Sequence, residues 1–481
     1  MKKKNIWLLC SLCIVVALAV TAFIFWPVSQ PERPITIDEK NFPDEIFRTY
    51  VSETYDINHD GILSPSECQA VKECLVSRKE IQSLRGIEHF PNLEKLDCSF
   101  NPLRKLNVSK NTHLKSLNIR GGDVTKENYV RYENGSLVML NVTGCKELLE
   151  LDCACNSLIN LDLSGCPNLG YLDCSFNPLW SLDLSGKKKL KVLDVCGGKM
   201  LTAGGAFPSM GPLRKLNLNG CTALKRLDLS YQSIREMDVS RFPNLVELRC
   251  KYALENVDVS TNAKLERLSC GGKAFIDFDT LTINSSSVLK ELDLSDCSSY
   301  DLDLSMFPNL EVLDVSFISL ESLDLSYTPG LVSLSCRYNS LKDLDLSYTP
   351  KLTILNCDGN DLGNLDLSYT PKLTVLDCSS DKLEELDLSY TPMLTELSCV
   401  ANKIESLDIS GNKLLETVRC GYNNMKELNL SGCENLDYLD CLGNLLKELQ
   451  LDGIPLRDHL YVDESVSLIG AGEYVSVTTY H

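Results

Sequence analysis

The sequence predicts a β-rich solenoid, and three observations lead there. Six cysteines, Cys336, Cys357, Cys378, Cys399, Cys420 and Cys441, each stand 21 residues after the last. Around them Leu334, Cys336, Leu344 and Leu346 fall on one face and Ser335, Asp345 and Ser347 on the other, the two-residue period of a strand. A 21-residue unit is too short for a strand plus a full helix, so each turn supplies two short strands and two bends. No such turn buries its own apolar face, and stability comes from stacking on its neighbours.

The first leucine of each unit falls at 93, 114, 148, 169, 190, 224, 245, 265, 289, 310, 331, 352, 373, 394, 415 and 436, which places about 16 turns in 93–451. Most steps are 21; two are 34, so 13-residue insertions follow Gly121-Gly122 and Gly197-Gly198. At ~4.8 Å per turn the coil is a rod or shallow arc roughly 75 Å long. Asn339, Asn360, Asn402, Asn423 and Asn444 share one bend and are expected to pair buried backbone groups of adjacent turns, with Asp381 breaking the column. This text, L-x-x-L-x-C-x-x-N-x-L-x-x-L-D-L-S, is similar to leucine-rich repeats, and its length and cysteine-containing half resemble the irregular bacterial class called IRREKO. The resemblance implies that the Cys-type strands form a concave recognition face. The layout also resembles internalin-like surface proteins, without an LPxTG-type motif in 470–481.

Ahead of the repeats, Lys2, Lys3 and Lys4 precede an uncharged apolar run from Ile6 to Trp26. As a helix, those 21 residues measure roughly 32 Å, enough for a bilayer core of ~30 Å. Residues 1–28 are therefore expected to be a signal-anchor or signal peptide, with the lysines cytoplasmic and the rest exported. Pro27, Pro31 and Pro34 stiffen the linker at 29–37.

Residues 38–92 form the expected cap. Phe42, Ile46, Phe47, Tyr50, Val51 and Tyr55 follow a helical period, and the next twelve residues match D-x-[DN]-x-[DN]-G-x₅-E throughout. A hard cation takes 6 to 8 oxygens. Asp56, Asn58 and Asp60 offer side-chain oxygens, Ile62 its carbonyl, Ser64 a direct or water-mediated ligand and Glu67 a bidentate pair, while Gly61 permits the sharp turn. The segment resembles a single EF-hand with a second helix near 67–75, which implies calcium as cofactor. Extracellular modules of this type bind at ~10⁻⁴ to 10⁻³ M.

The charge, 47 Lys+Arg against 66 Asp+Glu for −19, argues against nucleic acid as a partner. Cysteines repeating at one inward position stack parallel, with Cβ vectors that do not converge as a bridge requires, so the column reads as small core residues. Cys68, Cys74, Cys145, Cys166, Cys221, Cys297 and Cys433 lie off it and offer one or two bridges, Cys68 to Cys74 being the favoured local pair. Cys153-Ala154-Cys155 lacks a second pair of zinc ligands. G-x-S-x-G, H-E-x-x-H and phosphate-loop motifs are absent, and His59, His89, His113, His459 and His481 are scattered, so no enzyme is expected.

Outward positions of the Cys-type strands carry Asp97, Asp152, Asp173, Asp194, Asp228, Asp293, Asp314, Asp377 and Asp440. Arg249 and Arg419 interrupt this column, with Arg226, Glu247, Arg267, Glu396 and Tyr438 beside it. A second column runs through Asp162, Asp183, Asp238, Asp258, Asp303, Asp324, Asp345, Asp366, Asp387 and Asp408. Solvated acids bonded to neighbouring serines and turn amides are the plain reading of both, and a face for a basic partner or weak calcium along the ladder is the functional one; the variable first column is the better candidate ligand face. Tyr327, Tyr348, Tyr369 and Tyr390 repeat at the other bend and offer either sugar stacking or core cover. The expected function is an exported, membrane-anchored, calcium-binding scaffold that binds another protein at the cell surface. A structural spacer and a carbohydrate binder are the alternatives.

Overall fold

The computed structural model describes residues 33–124, 130–131, 137–197, 211–272, 280–284, 288–297, 302–456, 459–470 and 477–480. The apolar run at 6–26 lies outside them, as do most of both insertions. Among the described residues no helix is long and apolar enough to cross a membrane.

A small helix–loop–helix opens the described chain. Helix α1 spans Glu45–Thr54, capped by Asp44, whose Oδ1 accepts the Phe47 amide at 3.0 Å, and it buries Phe47 and Val51. Helix α2 spans Pro65–Ala70, with proline in its first turn and a reciprocal cap between Ser64 and Glu67. The helix expected near 67–75 therefore stops early. Glu73–Leu75 is instead a strand with only Cys74 buried, and it pairs parallel with Lys95–Asp97. Between the helices, Ile62–Leu63 pairs antiparallel with Ile35–Thr36. Phe42, Phe47, Val51 and Leu63 are buried in one core with Phe90 of the coil. Asp44 fastens the two parts a second time, since its Oδ2 accepts the amides of Gln82 and Ser83 at 2.8 and 3.1 Å.

Each of the 16 repeat units contributes one short strand to a single parallel sheet of 19. The other three strands, Glu73–Leu75, His459–Asp463 and Val477–Tyr480, fall outside 93–451. Every strand pairs with those of the turns before and after, and no described bond joins the first to the last, so the sheet is open. Register is in phase from turn to turn, as in Leu313, Leu334, Leu355 and Leu376. These leucines and the cysteine column are buried in the one hydrophobic core.

The opposite side of the coil departs from two strands per turn. Regular ladders form there between Lys105–Asn107 and Met139–Asn141, Ser181–Asp183 and Lys215–Asn217, Asn256–Asp258 and Thr280–Thr282, Ser406–Asp408 and Glu427–Asn429, and Glu448–Gln450 and Ser467–Ile469. At the aspartate position these pair Asn107 with Asn141, Asp183 with Asn217, Asp258 with Thr282, Asp408 with Asn429 and Gln450 with Ile469. No described ladder on this side sets aspartate against aspartate. Two carboxylates ~5 Å apart in water repel by roughly 0.8 kcal/mol, which opposes the close approach a ladder needs.

The two bends differ in what satisfies the backbone. At the first, Asn402 Nδ2 donates to the carbonyls of Cys378 and Cys399 at 2.9 and 3.1 Å, and its Oδ1 accepts the amides of Asp381 and Leu383, both at 3.0 Å. Asn101, Asn156 and Asn177 continue that column toward the N-terminus. The residue before the asparagine is left-handed, as at Phe100, Tyr338 and Tyr422, a conformation unfavourable for side-chain-bearing residues. Its amide reaches the next turn, as from Tyr338 to the Asp358 carbonyl at 2.8 Å, which offsets the cost. At Gly359 a Cβ would lie 2.8 Å from the Tyr338 ring as it now stands, so a side chain there would require that ring to move.

At the second bend the shared requirement is a buried side-chain donor. Thr349 and Thr370 supply hydroxyls to the carbonyl three residues back, both at 3.0 Å. Cys145, Cys166, Cys221 and Cys433 supply thiols to carbonyls of the preceding turn at 3.2 to 3.5 Å, and Lys187 supplies its ammonium to the Leu163 carbonyl at 2.8 Å. Most of the off-column cysteines expected as possible bridges are thus a second polar column. All described cysteines are free thiols, Cys68 and Cys74 included.

Candidate functional site

A three-residue strand such as Val375–Asp377 buries its central leucine and turns its two flanking side chains outward. Every turn therefore shows two positions on the outer face of the long sheet. All nine predicted aspartates occupy the second position, and each Oδ1 accepts the amide two residues on, at 2.9 to 3.2 Å. This is a local turn closure that any Asp or Asn makes. Burial then pushes Asp152, Asp194, Asp228, Asp314 and Asp440 above the ordinary carboxylate range, Asp194 well above it. A neighbouring carboxylate, Asp173 or Asp228 according to the turn, adds to the effect at Asp152 and Asp194.

The predicted face residues do not converge on one point; they divide the sheet into zones. Asp152, Asp173, Asp194 and Asp228 stand on consecutive strands in register. Arg120, unread in the sequence, pairs with Asp152 at 2.9 Å and also with Asp173, while Asp97 lies two strands before Asp152. The next zone is cationic. Glu247, with a side chain only 5% exposed, takes Arg226 Nε at 2.9 Å, Arg249 Nε at 2.8 Å and Arg267 Nη2 at 3.0 Å. Burial opposes its charge, but Arg249, Arg226 and Arg267 outweigh burial and hold the carboxyl below its usual range. Lys251 then pairs with Asp293 at 3.3 Å.

Farther along, the first outward position becomes uncharged while the second still carries Asp314 and Asp377. Val312, Ser333, Ile354 and Val375 fill the first outward position of successive strands, and Asp314, Ser335, Asn356 and Asp377 the second. The last zone is aromatic: Arg419 lies 4.9 Å from the Tyr438 ring, which neighbours His459 at 5.7 Å and Tyr461 at 5.5 Å, with Asp440 alongside. Sequence reasoning marked Arg226, Glu247 and Arg267 as variable neighbours but not as one cluster. Their shared outward position on consecutive turns was the available signal.

The loop at 56–67 is folded on its own amides. Asp56 is buried, and its Oδ2 accepts the Gly61 amide at 2.9 Å; Asn58 Oδ1 accepts the Asp60 amide at 3.1 Å and Asp60 Oδ1 the Ile62 amide at 2.8 Å. Glu67 lies across the loop on the Ile57 amide at 2.9 Å and on the Ser64 amide and hydroxyl at 2.8 and 2.7 Å. Led by the Ser64 hydroxyl, these bonds hold the Glu67 carboxyl below its usual range. Among the described residues no three His, Cys, Asp or Glu side chains stand together as a metal cage. The fit to a hard cation lies in the donors, which are all oxygens held on one short loop.

No family model matches the sequence, and no curated protein matches it either. Solved structures do match. The functional domain of InlJ from Listeria monocytogenes, described as including a cysteine ladder, is 24% identical with a TM-score of 0.56, covering 90% of this chain and 83% of that one. The leucine-rich repeat protein LIC12759 of Leptospira interrogans is 18% identical with a TM-score of 0.54, covering 79% of this chain and 92% of that one. YopM from Yersinia enterocolitica is 22% identical with a TM-score of 0.50, over 96% and 99%. At these identities the likeness shows the fold alone: the chain is a leucine-rich repeat solenoid.

Proposed function

We propose that the chain is an exported, membrane-anchored scaffold that binds another protein at the cell surface through the outer face of its long sheet. One contrast supports this reading. Leucine fills the central inward position of every long-sheet strand in the repeats except at Val418, while the outward positions change from acidic to cationic to mostly uncharged to aromatic along one continuous surface. Core packing demands the former, whereas nothing in the stacking of turns requires the outward charge to change from zone to zone. The apolar run at 6–26 would hold the protein at the membrane. Calcium at Asp56, Asn58, Asp60, Ile62, Ser64 and Glu67 would stiffen the cap by tying the loop between α1 and α2.

Two measurements test the proposal. A photo-crosslinking residue at Ile354, on the long-sheet face, is expected to capture a discrete partner in the native host, whereas one at Asp366 on the opposite side captures none. Equal capture at both, or none at Ile354, sinks the reading. For the loop, calorimetric titration of residues 30–481 should show one calcium site of ~10⁻⁴ to 10⁻³ M. Glu67→Ala should abolish it, and an unchanged isotherm in that variant removes calcium from the proposal.

Tyr327, Tyr348, Tyr369 and Tyr390 favour a second reading. Each is about half exposed, one per turn on four consecutive turns, which suits stacking against sugar rings. A glycan array probed with the wild type and a four-fold Tyr→Ala variant separates it from the first.

A further inference from the structure

We propose that Arg226, Arg249 and Arg267, gathered on Glu247, anchor a carboxylate side chain of the protein partner; the inference rests on the long-sheet face being the binding surface. Three guanidiniums meet one buried carboxylate, which gathers cations on this face of a chain of net charge −19, with Asp228 and Glu291 alongside on the adjoining strands. Arg267 spends both Nε, at 3.1 Å, and Nη2 on Glu247. Arg226 and Arg249 approach Glu247 most closely through Nε. No described hydrogen bond engages their outer nitrogens, and the two side chains are 55% and 51% exposed.

Such a fork matches a carboxylate with two parallel hydrogen bonds. Because Glu247 already holds the stems, little side-chain freedom remains to be lost on binding. Beside Arg249 and Arg267 lies a hollow of about 210 Å³ that also touches Ser269, Glu291, Asp293 and Val312. Asp293 is matched by Lys251 and by the Ser269 hydroxyl at 2.8 Å. Asp228 and Glu291 stand in register with Arg249 and Arg267 on adjoining strands. A doubly charged phosphate would sit between those two acids, where a singly charged carboxylate meets less repulsion. The hollow opens toward Val312, and Ile354 and Val375 follow in the same outward column. The partner that fits carries an Asp or Glu flanked by apolar residues.

Phage-displayed random peptides panned on the full chain test this, with Arg226→Gln/Arg249→Gln as the variant; Arg267 stays, so Glu247 keeps a cation. Selected peptides are expected to be rich in Asp or Glu beside apolar residues and to bind the double variant about tenfold or more weaker. An unchanged urea midpoint would show that the variant is folded. Peptides that bind both forms equally but are lost with Val375→Lys overturn the arginine anchor and leave the face reading standing. Peptides indifferent to both changes, or no enrichment at all, overturn both. Displacement by inorganic phosphate at lower concentration than acetate overturns the carboxylate assignment.

Discussion

The two aspartate columns begin from the same local chemistry and end in opposite states. In both, Oδ1 accepts the amide two residues on, as in Asp194 to Cys196 and Asp345 to Ser347, each at 2.9 Å. On the long sheet, Asp152, Asp173, Asp194 and Asp228 nonetheless stand side by side in a continuous ladder. Burial favours the neutral form at Asp152, Asp194 and Asp228, and Arg120 neutralises where it reaches. On the opposite side, Asp324, Asp345, Asp366 and Asp387 are exposed, and the serine two residues on holds each below the ordinary range. They stay charged, and no described ladder joins them. The difference teaches that a repeated acidic position is not one electrostatic environment: solvent access decides whether neighbouring turns lose charge or keep apart.

The largest expected effect comes from removing the cation that lets two long-sheet acids coexist. Arg120→Met leaves Asp152 and Asp173 unpaired in a half-buried row, and should cost about 3 kcal/mol in urea unfolding. Adding Asp173→Asn should recover much of that. If Arg120→Met alone is neutral, the ladder does not depend on neutralisation.

Asp381 sharpens the comparison from inside a bend. It replaces asparagine in the first-bend column, is fully buried, and accepts the Asn360 amide at 2.8 Å and the Cys357 thiol at 3.4 Å. Burial raises its carboxyl from 3.8 to about 7. A raised folded value means its stabilisation is whole below the unfolded value and is lost as pH rises through about 7. Asp381→Asn should therefore match the wild type in acid and exceed it by roughly 2 kcal/mol at pH ~8. Parallel pH profiles would remove Asp381 as the cause.

Smaller effects should have opposite signs in the two columns. Asp194→Asn keeps the turn closure and removes a charge that burial opposes, so it should stabilise by about 1 kcal/mol at neutral pH. Asp258→Asn faces Thr282 and relieves no repulsion; it loses a carboxyl held low by the Ser260 hydroxyl and amide, and should destabilise slightly. The loss contributed by that lowered carboxyl appears as pH falls through its folded value. The subtlest effect belongs to Asp345→Asn/Asp366→Asn, which should let this side close its ladder. Slower amide hydrogen exchange across 344–367 would show it, and unchanged exchange would mean that something other than charge keeps these turns apart.

The sequence by itself determined the coil. A 21-residue period with leucine and cysteine inside requires a stack in register, and each of the 16 units contributes a strand to it. The asparagine column was equally readable, because every buried bend must satisfy the same backbone groups at the same position. Only the tertiary structure decided the rest. Helix α2 ends at Ala70 and Cys74 enters the sheet instead, and Cys145, Cys166, Cys221 and Cys433 donate their thiols to carbonyls because each lies against the previous turn. The convergence of Arg226, Arg249 and Arg267 on Glu247, and the opposite fates of two identical aspartate motifs, likewise depend on what stands one turn away. Periodicity is written in covalent spacing, whereas desolvation and charge pairing act through space, so a linear repeat specifies the frame but not the electrostatic state of what the frame displays.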